Sequence, residues 1–251
     1  RMSPLLPNTS TIFAAPRRAA YLLPVAGLAL GSGVLSLAGA AGEILAAAVS
    51  LAALTGCGVF LLAVQRHALW GWANQVTMAR LALIAVLAAA LLQPSLYTSA
   101  GWWLTGLALL VLALDGVDGW LARTLGESSS FGARFDMETD AALIMVLCLA
   151  LVLSSEIGAW VLLIGAMRYA FVLLASVWAW LKSPLPPSFR RKAVCVWQVC
   201  ALLLALVPLS GLLAEQILLA TALAGLVYSF AVDVRWLWSR HLAAPSQQVV
   251  L

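Results

Sequence analysis

The sequence predicts an all-α integral membrane protein of about eight transmembrane helices, and three observations lead there. Of 251 residues, 64% are hydrophobic and 10% charged, against about 45–50% apolar and about 25% charged in soluble domains. Mean hydropathy is +1.02, and the apolar residues gather in runs of about 20, the length that spans a bilayer at about 1.5 Å of rise per residue. The period-two alternation of barrel strands is absent, and lipid tolerates only helices or closed barrels. A soluble enzyme, a disordered chain and a small disulfide scaffold are excluded.

Residues 1–18 read as a polar arm, with Pro4, Pro7 and Pro16, closing on Arg17-Arg18. The first apolar run, Ala20 to Ala41, has the basic flank and small-residue end of a secretory signal peptide. It is long enough to span, however, and a second run, Ile44 to Val64, follows almost at once. Residues 19–65 are therefore expected to form two N-terminal transmembrane helices. Gly27-x3-Gly31, with Gly33, suits close helix packing. After a short segment from Gln65 to Trp72, six more runs follow at about 77–97, 100–123, 132–154, 156–181, 192–212 and 214–234. Residues 66–235 form the rest of the membrane body and 236–251 a cytoplasmic tail.

The net charge of +4 and pI near 9.1 come from basic residues scattered at the ends of apolar runs. That pattern points to membrane lipids and topology, with no nucleic-acid partner. With the N-terminus in the cytoplasm, Arg66, Arg123, Arg134, Lys182, Arg190, Arg191, Lys192, Arg235 and Arg240 all fall on the cytoplasmic side. The opposite loops carry only Glu43, Glu156 and Glu215. Trp102, Trp103 and Trp160 lie near the outer ends. Trp70, Trp72, Trp120, Trp178, Trp180, Trp197, Trp236 and Trp238 lie near the inner ends, as interface anchors. His67 and His241 read as interface residues. Cys57, Cys148, Cys195 and Cys200 sit inside apolar runs with no C-x-x-C pair, and read as small buried hydrophobes.

The informative stretch is 115–140, which holds Asp115, Asp118, Asp136 and Asp140, four of the chain's five aspartates. Each lies within the extrapolated end of an apolar helix, where one carboxylate costs about 2.5–3.5 kcal/mol on insertion scales. Spacings of i, i+3 and i, i+4 put each pair on one helix face. With a loop from Thr124 to Phe131, the helices are antiparallel neighbours and the pairs meet at matching heights just below the cytoplasmic headgroups. Asp115 and Asp140 lie roughly 12 Å above the loop. A box of carboxylates suits Mg²⁺ or Mn²⁺ over zinc. Two such ions about 3.5–4 Å apart would clamp a phosphoryl group in transfer. Gly119, Ala122 and Gly132 leave space between the helices, and Arg123 offers a cation at the mouth. A structural pair with Arg80, Arg134 or Arg168 would account for one intramembrane aspartate, not for four. A divalent-cation transporter is the non-enzyme alternative on charge alone.

The spacing D-x2-D-G-x2-A-R-x8-G-x3-D-x3-D, carried by Asp115, Asp118, Gly119, Ala122, Arg123, Gly132, Asp136 and Asp140, resembles the signature of the CDP-alcohol phosphotransferases. Upstream, Asn74, Thr77 and Arg80 are similar to the N-x2-T-x2-R that often opens that family's first core helix. The resemblance covers about residues 70–235. It implies a six-helix catalytic core preceded by two extra helices, and transfer of a substituted phosphate from a CDP-alcohol to an acceptor hydroxyl with release of CMP. It further implies metal ligation by Asp115, Asp118 and Asp136, with Asp140 ligating or lying beside the second metal and acting as general base. Asn74, Thr77, Arg80, Asp118, Gly119, Ala122, Arg123 and Gly132 would line the CDP site. A homodimer is implied too, though no residue pattern requires one.

The acceptor is read from 188–198, SFRRKAVCVWQ, which resembles the S-x2-G-K-x-K-T-x2-Q of phosphatidylglycerophosphate synthases at Ser188, Lys192 and Gln198. Arg191 replaces Gly, and Val194-Cys195 replaces Lys-Thr. Arg168 resembles the Arg of that group's R-E pair, with Tyr169 in place of Glu. Arg168, Arg190, Arg191 and Lys192 are thus candidate acceptor contacts, though the basic cluster also suits an ordinary membrane anchor. The expectation is a Mg²⁺- or Mn²⁺-dependent phosphatidyltransferase holding two ions on the cytoplasmic face of a bacterial inner membrane. Its donor would be CDP-diacylglycerol and its acceptor a small polar alcohol, glycerol 3-phosphate favoured. The enzyme alternative is a CDP-choline or CDP-ethanolamine:diacylglycerol phosphotransferase.

Overall fold

A computed structural model describes residues 22–65, 71–207 and 211–243. The expected polar arm, Arg66, His67, Trp70 and residues 244–251 lie outside the described residues, as does the side chain of Cys57. All described elements are helical. In chain order they are α1 (Leu22–Leu37), α2 (Gly42–Gln65), α3 (Trp72–Ala90), the short α4 (Ser95–Ser99), α5 (Gly101–Thr124), α6 (Ser130–Ser154), α7 (Leu162–Val177), α8 (Phe189–Leu206) and α9 (Leu212–Ala243). Single 3₁₀ turns at Ala159–Val161 and Ala179–Lys182 flank α7. Two compact units divide within α6, one ending at Val146 and the other beginning at Leu147.

Five stretches are long and apolar enough to cross a bilayer: Trp72–Ala90, Gly101–Thr124, Ser130–Ser154, Ala159–Val177 and Leu212–Leu242. Leu23–Leu37 and Gly42–Gly56 are shorter apolar helices. The chain is a multi-pass membrane protein. Of the eight expected spans, five fall on these long stretches, two on the shorter α1 and α2, and one on α8, which is not among the stretches of spanning length and apolarity and whose first turn carries Arg190, Arg191 and Lys192. The span expected over 77–97 is two elements. Pro94 disfavours helical geometry at Gln93, so α3 stops at Ala90 and α4 resumes at Ser95. The Tyr97 hydroxyl donates to the Leu87 carbonyl at 2.6 Å and ties the pieces together.

In the first unit α3 is the central helix, and α1, α2 and α5 all pack against it. From Ala73 to Ala90 every residue except Leu81 and Ala88 is buried, including Asn74, Gln75, Thr77 and Arg80. The helix with the most protein around it thus carries the polar residues that lipid would reject. Gly27 and Gly31 make the α1 approach possible. A Cβ on Gly27 would sit 3.1 Å from the Ala79 carbonyl oxygen, and one on Gly31 2.9 Å from Val86 Cγ2. Gly33, grouped with them in the sequence, meets nothing within 4 Å.

In the second unit α9 packs against α8, α7 and the turn at Ala179–Lys182, and that turn also packs against α7. Phe171 and Phe230 meet edge to face with centroids 5.4 Å apart, and Trp180 contacts both Trp238 and His241. Large apolar side chains such as Leu163, Leu173, Val177, Leu213 and Val227 remain exposed along α7 and α9, as lipid-facing surfaces do. Cys148 is buried, but Cys195 is exposed on α8. This corrects the expectation of a buried thiol there: α8 presents that side chain outward while Gln198 and Val199 turn in.

Gly31→Leu is expected to lower the melting temperature of the detergent-solubilised protein, at a cost of about 1–3 kcal/mol for forcing a side chain into a packed contact. Gly33→Leu is expected to leave it near the wild-type value. Equal melting of the two variants would contradict the α1–α3 packing.

Candidate active site

The hairpin from α5 to α6 is shaped by its loop. α5 closes with the Leu125 N–H on the Leu121 carbonyl. Gly126 then takes a left-handed φ of +66°, and the Glu127 N–H returns to the Ala122 carbonyl at 3.0 Å. That six-residue closure with a left-handed glycine terminates a helix without leaving carbonyls unpaired. Ser129 starts α6, its Oγ accepting from the Gly132 N–H at 2.9 Å, an N-cap on the third helical residue. Asp118 and Asp136 each stand six residues inside their helices, about 9 Å from the loop end.

α3 supplies the third wall. The Thr77 hydroxyl donates to Asp118 Oδ2 at 2.8 Å. Arg80 contacts all four aspartates. Its Nη1 donates to Asp118 Oδ2 at 2.8 Å and to Asp136 Oδ1 at 2.6 Å. Its Nη2 pairs with Asp115 Oδ1 at 2.9 Å and with Asp140 Oδ1. Two –NH₂ groups carry four N–H bonds, so one guanidinium meets four carboxylates. Arg80 is wholly buried and Asp118 is 4% exposed, while Asp115, Asp136 and Asp140 are each more than a third exposed. Three acids thus face an open side, with the cation behind them.

One positive charge offsets one of four formal negative charges, which leaves the site electrostatically suited to further cation. The donor set fits a hard divalent ion: one oxygen from each of Asp115, Asp118 and Asp136 lies within 4.8 Å of the others, with no sulfur or imidazole among them. Asp140 is not part of that three-oxygen group. It meets the same Arg80 nitrogen as Asp115.

Beside the aspartates a cleft opens. α3 contributes Ala73, Asn74 and Thr77, α5 contributes Asp118, Gly119 and Ala122, and α6 contributes Gly132, Ala133 and Asp136. The loop adds Glu127, Ser128 and Ser129. A Cβ on Gly132 would come within 2.9 Å of Asn74 Oδ1, so the bare glycine lets α6 approach α3. At Gly119 a Cβ would meet only the tip of Arg123, 3.3 Å away. The sequence-derived nucleotide residues Asn74, Thr77, Asp118, Gly119, Ala122 and Gly132 thus come together on this cleft. Arg123 is exposed beside it, and Arg80 lies among the acids, not on the cleft wall.

The sequence pattern that defines CDP-alcohol phosphatidyltransferases matches residues 70–228, well over half of the chain and inclusive of every residue of the acidic site and cleft. The chain belongs to the CDP-alcohol phosphatidyltransferase family. No solved structure matches it. As a CDP-alcohol phosphatidyltransferase it is a membrane transferase of phospholipid synthesis, and α1 and α2 lie outside the matched region.

The residues singled out as acceptor contacts lie in the second unit. Arg190 donates to the Ser229 carbonyl at 2.5 Å, to Ser229 Oγ at 2.7 Å and to Asp233 Oδ1 at 2.6 Å. Arg191 reaches the same Asp233 oxygen at 3.3 Å and also the Pro186 carbonyl. Three cations at the start of α8 oppose the helix dipole, and the buried Asp233 on α9 offsets part of that charge. Lys192 is exposed, and Arg168 is half-buried within α7. Sequence reasoning missed Asp233 and Ser229, and it missed Glu127, Ser128 and Ser129 on the cleft. The loop itself was expected over Thr124 to Phe131; Gly126 as a helix-ending glycine, and Ser129 three residues before Gly132, are the signals that narrow it to residues 125–129.

Arg80→Gln is expected to destabilise the protein by about 3 kcal/mol, the low end for an uncompensated buried ion pair because three of its partners are partly exposed. Arg80→Lys should recover little, since one ammonium cannot span four carboxylates in the guanidinium's planar geometry. Melting of both variants at the wild-type temperature would contradict the shared pairing.

Proposed function

We propose that this protein transfers the phosphatidyl group of CDP-diacylglycerol to the hydroxyl of a small polar alcohol, glycerol 3-phosphate favoured, with release of CMP. The observation that carries the reading is the convergence of four aspartates from two antiparallel helices beside a cleft floored by Gly119, Ala122 and Gly132. Asp115, Asp118, Asp136 and Asp140 would hold a pair of Mg²⁺ or Mn²⁺ ions. Bound there, such ions withdraw charge from a diphosphate and make CMP a better leaving group.

The chain's own side chains do the rest. Asp140 takes the proton of the acceptor hydroxyl as its oxygen bonds to the phosphatidyl phosphorus, and the bond from that phosphorus to CMP breaks, CMP leaving with the electron pair. Asn74, Thr77, Gly119, Ala122 and Gly132 hold the nucleotide. Arg80 fixes the carboxylates in place from behind, and Arg123 meets a phosphate at the mouth. Arg190, Arg191 and Lys192 at the start of α8 are proposed as contacts of an acceptor phosphate, Arg190 and Arg191 sharing Asp233 and Lys192 exposed. Arg168 is assigned to the same acceptor. The excess of Lys and Arg on one side supports a cytoplasmic site, and the membrane proposed is a bacterial inner membrane. Residues 66–235 would form the catalytic core, with 19–65 as added helices and 236–251 as a cytoplasmic tail.

Purified protein supplied with CDP-diacylglycerol, glycerol 3-phosphate and Mg²⁺ is expected to release CMP, and EDTA to stop it. Asp140→Asn should retain CMP binding while turnover falls by at least about 100-fold, the loss expected for a general base. Normal turnover by Asp140→Asn would contradict the base assignment. Failure of any tested hydroxyl acceptor to promote CMP release would contradict the transfer.

A further inference from the structure

We propose that Glu127 selects the nucleobase, accepting a hydrogen bond from the exocyclic amine that cytosine carries and uracil lacks. This rests on the cleft being a CDP site, as proposed above. The cleft has two ends. Thr77, Asp118 and Asp136 lie at one, where the acids hold a diphosphate with its counter-ions. Ala73, Glu127, Ser128 and Ser129 lie at the other. From Thr77 to Ala73 along α3, and from Asp118 to Ala122 along α5, the separation is about 6 Å. A nucleoside with its phosphates among the aspartates therefore extends its base towards the loop.

A carboxylate there is unexpected if charge alone matters, because the ligand is itself an anion. It becomes useful if the ligand presents a donor at that end. Glu127 is held for the purpose: the left-handed Gly126 turns the chain back, and Glu127 Oε2 accepts from the Ala73 N–H at 3.0 Å. Gly71 leaves room, since a Cβ there would overlap the carboxylate. Two carboxylate oxygens offer about four lone-pair sites, and Ala73 occupies one. A carboxylate is an acceptor only, which favours an amine and disfavours the carbonyl that uracil places at the same position.

A helix cap at the start of α3 is the competing role, because Gly71 has no side chain to cap it, and the test separates the two. Binding of CMP, UMP and the 2-pyrimidinone ribonucleotide, which lacks the amine without adding bulk, is measured on the full chain in detergent. Wild-type protein is expected to prefer CMP over both by about tenfold, the worth of one hydrogen bond to a charged group. Glu127→Gln keeps a carbonyl for Ala73 and should melt near wild type, while its CMP-to-UMP preference falls towards one. An unchanged preference in Glu127→Gln, or a wild-type protein that binds the 2-pyrimidinone ribonucleotide as well as CMP, overturns the inference and leaves the proposed function standing. A wild-type protein that binds none of the three overturns both.

Discussion

The site depends on one buried guanidinium. Four carboxylates drawn towards one point repel one another, and a membrane interior offers little water to screen them. Arg80 lies behind all four, wholly buried, with a bond to each. It offsets only part of their charge. The acids are gathered and still electrostatically unfinished, with three of them more than a third exposed on the open side. A site that binds hard cations needs that condition: held together in advance, and short of positive charge.

Burying Arg80 requires a sheath, and the fold provides it. α1, α2 and α5 close around α3, the helix that brings Asn74, Thr77 and Arg80 to the acids. α1 comes close enough because Gly27 and Gly31 carry no side chains against Ala79 and Val86. The two N-terminal helices lie outside the family's matched region, yet they complete the enclosure of the helix on which the acidic site rests.

The aspartate pairs were legible in the sequence because helical periodicity fixes their facing whatever surrounds them. Spacings of three and four suffice once a loop is placed between Thr124 and Phe131, which the structure tightens to residues 125–129. The centre of the site was less legible. Asn74, Thr77 and Arg80 resemble the opening of a core helix, but the apolar run was placed from about residue 77, whereas α3 starts at Trp72 and buries all three together with Gln75. That enclosure is decided by three other helices. Arg80 was therefore expected on the nucleotide or paired with one aspartate, and its bonds to all four were not foreseen. The pairing of Arg190 with Asp233, 43 residues apart, was likewise beyond any local pattern. The break before Pro94 was readable from the proline and masked by the hydropathy around it.

Titration of Mn²⁺ into the purified, nucleotide-free protein measures whether the gathered aspartates hold a hard cation. Saturable binding is expected, and Asp136→Asn should abolish it or weaken it at least about tenfold, since the substitution removes one charged ligand while keeping an oxygen for Arg80. Absence of Mn²⁺ binding by the wild-type chain, or equal binding by the variant, would contradict this expectation.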